Sequence, residues 1–217
     1  IFESFLGTGY GEPVPHPAGV PDVFRKNYGD ALCLAIAGDQ TQHLLWRLPR
    51  ELAACTLLDA SLTFVVLIGT NNLGNGHNPA QTIDGVRAVV QWLLAHTQGR
   101  VVVLGLLPRG PGKVAALCPP RCRSDGSPFS SFMPAIDHVN RALKQRLETR
   151  VLFLPHCGDV FFRRRSGRFP SSSGPLGDDL IRSDLMPDLL HPNAQGHALL
   201  AQCLLPSLLS SSPSSES

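Results

Sequence analysis

At 217 residues, with 43% hydrophobic and 17% charged content, the chain has the make-up of one globular domain with a full-sized core, which excludes disordered and fibrous classes. A net charge of +2 is too small to create the basic field that nucleic-acid binding or attraction to an anionic membrane surface requires. No apolar run approaches the ~18 residues of a membrane-spanning helix, so the expected partner is a small molecule or a protein.

The chain opens at Ile1 without a Met, and a lost upstream segment, a targeting one included, is the expectation. Four short apolar runs follow at 31–37, 63–68, 101–107 and 151–154, each with the length and near-continuous hydrophobicity of a strand buried on both faces. Between them, 41–54, 79–96 and 134–147 carry apolar residues at helical spacing, for example Ile83, Val86, Val90 and Leu93. A last helix is predicted to open at Asn193, a good N-cap, and to run to a break at Pro206. Alternating strand and helix predicts a doubly wound parallel α/β sheet, whose ligands bind at the carboxyl ends of the strands. Pro, Gly and Ser mark 109–132 and 163–179 as loop-like insertions, and 210–217 is a Ser-rich tail predicted to be disordered. The globular domain is therefore 1–209, with no internal repeat or linker that divides it.

Six cysteines, at 33, 55, 118, 122, 157 and 203, are scattered and several lie in apolar runs, which reads as buried free thiols more readily than as a disulfide framework. Free thiols fit a cytoplasmic location, although the sequence leaves the compartment open. There is no G-x-S-x-G elbow, complete P-loop, H-E-x-x-H or C-x-x-C, which weakens the hydrolase, nucleotide and zinc readings resting on those signatures.

Chemistry is concentrated in three short segments. Asp188 and His191 stand three residues apart, and on a tight turn that spacing brings the carboxylate to one imidazole nitrogen, leaving the other as a general base. Alone, such a pair is as readily a loop or capping arrangement. Gly69-Thr70-Asn71-Asn72 follows the run 63–68, and Gly38-Asp39-Gln40-Thr41 follows 31–37. A strand-end glycine lets its backbone N–H approach a ligand, and an asparagine amide adds a second donor of the kind that stabilises an oxyanion. Each segment by itself is an ordinary turn.

In this order, and together with Val103-Leu104-Gly105-Leu106-Leu107-Pro108-Arg109, the segments resemble the SGNH (GDSL-type) hydrolase family. Four blocks, Ala37 to Leu48, Val65 to Asn72, Val103 to Arg109 and Met186 to His191, are together similar to the branch that includes the catalytic subunits of platelet-activating-factor acetylhydrolase. The resemblance implies a flavodoxin-like three-layer α/β/α sandwich with strand order 2-1-3-4-5. It implies an ester hydrolase in which His191 is the base, Asp188 orients it, and Gly38 and Asn71 contribute to the oxyanion hole. The implied substrate is a small-molecule ester with a short acyl group, with no metal or organic cofactor; relatives form dimers, so a homodimer is the implied assembly.

That family places its nucleophilic serine in a Gly-Asp-Ser turn after the first strand, which is absent here. Residues 1–9 resemble the text that follows the motif, so the chain reads as a fragment, without nucleophile and without the central first strand. Ser4 lies about one helical turn, roughly 5 Å, too far along to replace it. A non-catalytic binding or scaffolding member of the same fold is the competing reading. Among the remaining candidates, Arg163, Arg164, Arg165 and Arg168 read as a solvated loop, and Cys118 with Cys122 as a loop disulfide or half a metal site. His43 and Trp46 read as structural, and Asn75 and His77 as residues lining the site.

Overall fold

A computed structural model describes residues 2–6, 8–9, 12–13, 19–29, 31–53, 61–110, 131–148, 150–163 and 180–209. After a 3-10 turn (Phe2–Leu6) come a two-residue hairpin of β1 (Thr8–Gly9) and β2 (Glu12–Pro13), then helices α1 (Val20–Tyr28) and α2 (Thr41–Ala53). Strand β3 (Thr63–Val66), helices α3 (Thr70–Gly74) and α4 (Pro79–His96), and strand β4 (Arg100–Leu104) follow. Helix α5 (Met133–Arg146), strand β5 (Leu152–Leu154), a 3-10 segment (Pro155–Phe161) and α6 (Ala194–Leu209) complete the order.

The sheet β3-β4-β5 is parallel throughout, with Val65 opposite Val102 and Val103 opposite Phe153. Parallel neighbours need long crossovers, which α4 and α5 supply. β4 lies between the other two, and Val101 to Leu104 are buried on both faces, which explains their unbroken hydrophobicity. α2, α4 and α5 pack in succession, while α1 and α6 pack on each other and reach the two 3-10 segments. The chain thus has an α/β fold with helices flanking a small parallel sheet.

α4 shows why the predicted helix is so well defined. Pro79 occupies its first turn, the Asn78 side chain accepts from Gln81 N–H (2.9 Å), and the Gln81 side chain accepts from Asn78 N–H (2.9 Å). This reciprocal cap satisfies two otherwise orphaned donors, and Ile83, Val86, Val90 and Leu93 form the buried stripe behind it.

Three expectations need correction. Residues 31–36 form no strand, because among the described residues no ladder reaches them; side chains hold them instead, with Cys33 Sγ on Phe2 O and Arg47 Nη2 on Leu34 O (2.9 Å). Leu32 and Ile36 are accordingly exposed. Pro206 does not end α6, which continues to Leu209: the amide it lacks would serve only the last turns, and Leu200 and Leu204 are already buried. The cysteines are not all free thiols, since Cys157 and Cys203 form a disulfide that fastens the 3-10 segment after β5 to α6. With it goes the cysteine argument for a cytoplasmic location. Cys33 is free; Cys55, Cys118 and Cys122 lie outside the described residues, as do 164–179 and the tail 210–217. α1, which sequence periodicity did not isolate, is a short helix with Pro21 in its first turn.

The disulfide closes a loop of 46 positions. A Cys157→Ala, Cys203→Ala double variant is expected to lose about 2–4 kcal/mol of unfolding free energy, mostly through a freer unfolded chain. Urea titration should show a lower midpoint at similar slope; an unchanged midpoint would mean that the bond constrains nothing.

Candidate functional site

The Asp188–His191 turn stands directly ahead of the start of α6. Asn193 anchors that start, its side chain accepting from Gly196 N–H (2.9 Å) and donating to Asp184 O (2.7 Å). Just ahead of it, Asp188 collects three donors: Oδ1 takes the backbone N–H groups of Leu190 (3.0 Å) and His191 (2.7 Å), and Oδ2 faces His191 Nδ1 at 2.6 Å. An ionised carboxylate only accepts, so Nδ1 carries a proton, and in the neutral tautomer Nε2 is then the acceptor. Desolvation opposes ionisation of Asp188, but the His191 ring and the two backbone amides outweigh it and hold the carboxyl well below the usual carboxylate range. Leu189, between the two residues, has φ +58° and is the single positive-φ residue other than glycine among those described. That left-handed geometry costs about 1–2 kcal/mol and is what turns both following amides back onto Oδ1.

Asn71 sits in α3, directly beyond the carboxyl end of β3. Its Nδ2 donates to Asp39 O (3.0 Å), which uses one of two amide protons and leaves the second directed elsewhere. The accepting turn contains Gly38, whose φ of +81° would strain any residue with a Cβ. Sequence inspection missed how this turn is held. The Glu3 carboxylate accepts from Ala37 N–H, the buried Asn72 accepts from Thr41 N–H (3.0 Å), and Arg47 Nε pairs with Asp39 Oδ2 (3.0 Å). Asn72 also donates to Thr41 Oγ1 (2.9 Å) and contacts His77 Nδ1 (3.1 Å), while Asn75 Nδ2 donates to Asn71 O (2.7 Å). His77 and Asn75 are thus buttresses of the loop.

Two further bonds join these parts across the edge of the sheet. Arg109 Nη1 donates to Thr70 O (2.9 Å), and Gly110 N–H to Leu189 O (2.8 Å). Gly38, Asn71, Asp188 and His191 therefore lie on one continuous series of hydrogen-bonded segments. Ser4 is engaged elsewhere, with Oγ 3.3 Å from Nε2 of His197, a buried ring on α6. Trp46, read from sequence as structural, projects from α2 with 65% of its surface exposed, and Arg50 covers its ring at 4.0 Å. Among the described residues no group of three or more His, Cys, Asp or Glu could hold a metal, and no helix is long and apolar enough to cross a membrane.

The model of the GDSL-like lipase/acylhydrolase family matches residues 6–199. The chain belongs to that family. The alpha1 subunit of platelet-activating factor acetylhydrolase IB from Bos taurus is 47% identical over 81 residues, covering 37% of this chain and 33% of the relative. The alpha2 subunit from Gallus gallus is 42% identical over 82 residues, with the same coverage. The matched stretch thus spans about a third of the curated relatives' length. An acetylxylan esterase from Geobacillus stearothermophilus, solved as a catalytic mutant, superposes with a TM-score of 0.57 at 17% identity, covering 95% of this chain and 83% of that one. The GDSL-like fold is shared, then, well beyond the stretch in which sequence identity is visible, and the family's members support ester hydrolysis in general.

A depressed folded pKa makes Asp188 stabilising above its unfolded value near 4, and that contribution is lost as pH falls below it. Because the carboxylate is half exposed, the effect is expected to stay under about 1 kcal/mol. Thermal unfolding of Asp188→Asn compared with the parent from pH 6 down to pH 3 should show the difference shrinking with acidification; a gap that widens would reverse the assignment.

Proposed function

We propose that this GDSL-like chain belongs to a serine ester hydrolase in which His191 is the general base, Asp188 fixes its tautomer, and Gly38 N–H and the Asn71 amide are oxyanion donors. The observation that carries the reading is the Asp188–His191 contact at 2.6 Å, with both remaining donors of the turn aimed at the same carboxylate. His191 takes the proton from a serine hydroxyl as it attacks the ester carbonyl, and the two donors stabilise the tetrahedral oxyanion. Each such donor contributes a few kcal/mol. Water then deacylates the enzyme through the same histidine.

The serine is supplied by a Gly-Asp-Ser turn outside these 217 residues, on a strand that lies between 31–36 and β3. The resemblance of 1–9 to the text following that motif and the unladdered backbone of 31–36 support this placement. The acyl group is short, in keeping with acetylhydrolase relatives and an acetylxylan esterase neighbour; a homodimer is the assembly that the family resemblance implies. A second reading, a non-catalytic binding protein on the same scaffold, is favoured by the absence of Gly-Asp-Ser from these 217 residues.

The purified 217-residue chain is expected to hydrolyse p-nitrophenyl acetate no faster than buffer. A version extended at its N-terminus by a strand ending in Gly-Asp-Ser should turn it over, and His191→Ala in that version should cost at least ~10³-fold in kcat/KM. Turnover by the unextended chain that disappears in Ser4→Ala would overturn the placement of the nucleophile. A folded, extended protein without turnover would favour the binding reading.

A further inference from the structure

We propose that Arg109 is a positioning residue that locks the Asn71 loop to the Asp188–His191 turn, and that Gly74 is a glycine in order to admit it; the proposal rests on the reading of Asp188 and His191 as the base pair. Arg109 leaves the carboxyl side of β4 and is 92% buried, an unusual place for a guanidinium, which is normally buried only when it is held on several sides. On one side it donates to Thr70 O (2.9 Å), one residue before Asn71. On another it lies over the Phe132 ring, 4.9 Å from the centroid, just ahead of α5. Its planar, multiply donating group is suited to both contacts at once, whereas a lysine ammonium is a point charge without a flat face to lay on the ring.

The next residue completes the link. Gly110 N–H donates to the carbonyl of Leu189, the residue whose left-handed backbone turns the amides of Leu190 and His191 toward Asp188. Fixing Arg109 therefore fixes the direction from which Gly110 reaches the strained residue. On the opposite side, a Cβ at Gly74 would come within 2.5 Å of Nη2 and 2.6 Å of Cζ, so the guanidinium occupies the space a side chain at 74 would need. Gly74 ends α3, the helix that carries Asn71. One cation thus touches both ends of the oxyanion-donor helix and, through one peptide, the turn that orients the base.

Two variants perturb this lock in different ways. Arg109→Lys keeps the charge and loses the fork and the stacking, while Gly74→Ala keeps Arg109 and displaces it. Both are read in the chain as it stands, so no esterase turnover is needed. The first readout is the far-downfield proton of His191 Nδ1–H in the bond to Asp188, identified by its loss in Asp188→Asn. The second is hydrogen exchange at Gly110 N–H, bonded to Leu189 O, and at Leu73 N–H, bonded to Gly69 O. Both variants are expected to shift or broaden the His191 proton and to speed exchange at Gly110 and Leu73 together by 10-fold or more, with β4 amides unchanged. A mere packing role would lower the melting temperature and leave the His191 proton and the Gly110 to Leu73 pairing of rates untouched, which would overturn the proposal. If no downfield proton responds to Asp188→Asn, the base-pair reading fails. The exchange rates then decide the lock alone: joint acceleration supports it, and independent behaviour of the two amides overturns it.

Discussion

The site depends on one carboxylate saturated with donors. Asp188 can accept from Leu190, His191 and the imidazole at once only because Leu189 is held in a left-handed conformation that an isolated chain would seldom populate. Strain of this kind persists where its surroundings over-determine it. Here the surroundings are named bonds: Leu189 N–H on Met186 O (2.8 Å), Leu189 O under Gly110 N–H, and Asn193 N–H on Leu185 O (2.9 Å). The imidazole tautomer follows from that local geometry with no additional group required.

The same economy appears at the Gly38 turn. Backbone donors cannot stabilise a developing charge unless they are already aimed, since reorganising them during reaction would consume the gain. The turn is accordingly tied at Ala37 by Glu3, at Asp39 by Asn71 and Arg47, and at Thr41 by Asn72. These ties come from the N-terminal 3-10 turn, from α3 and from the adjoining α2, so three elements must be in place before the turn is rigid. The buried strand β4 makes this possible, because it pairs with β3 and its apolar faces seat the sheet from which the loops leave.

Much of this was legible before any coordinates, and the reasons differ by element. α4 could be read because its cap, its first-turn proline and its apolar stripe agree. The runs 63–68 and 101–107 pointed to β3 and β4 because strands are short continuous apolar runs, although only β4 is buried on both faces and β3 is partly exposed. The Asp188 and His191 pairing could be read because a turn is local. The run 31–37 misled because apolar composition describes what could pair, while a strand exists only where a ladder forms. Cys157 and Cys203 could not be matched because their meeting depends on how a 3-10 segment packs on α6, which spacing does not encode. Arg109 was visible in a motif, but its role lies in three contacts with parts of the chain at 70, 74 and 132.

These observations separate two kinds of support within one rim. The donor turn at Gly38 is held chiefly by side chains that reach backbone groups, so single substitutions there remove one tie among several. The base turn at Asp188 is held by backbone bonds together with the Asp188 and Asn193 side chains, and Gly110 N–H ties it to the end of β4. A cation buried between the two halves is costly to desolvate, and an apolar residue would pack the same cleft at less expense in free energy. Its retention is understandable if what it supplies is geometry, since only a flat, multiply bonded group can hold a loop carbonyl and an aromatic face while leaving the following amide free to reach Leu189.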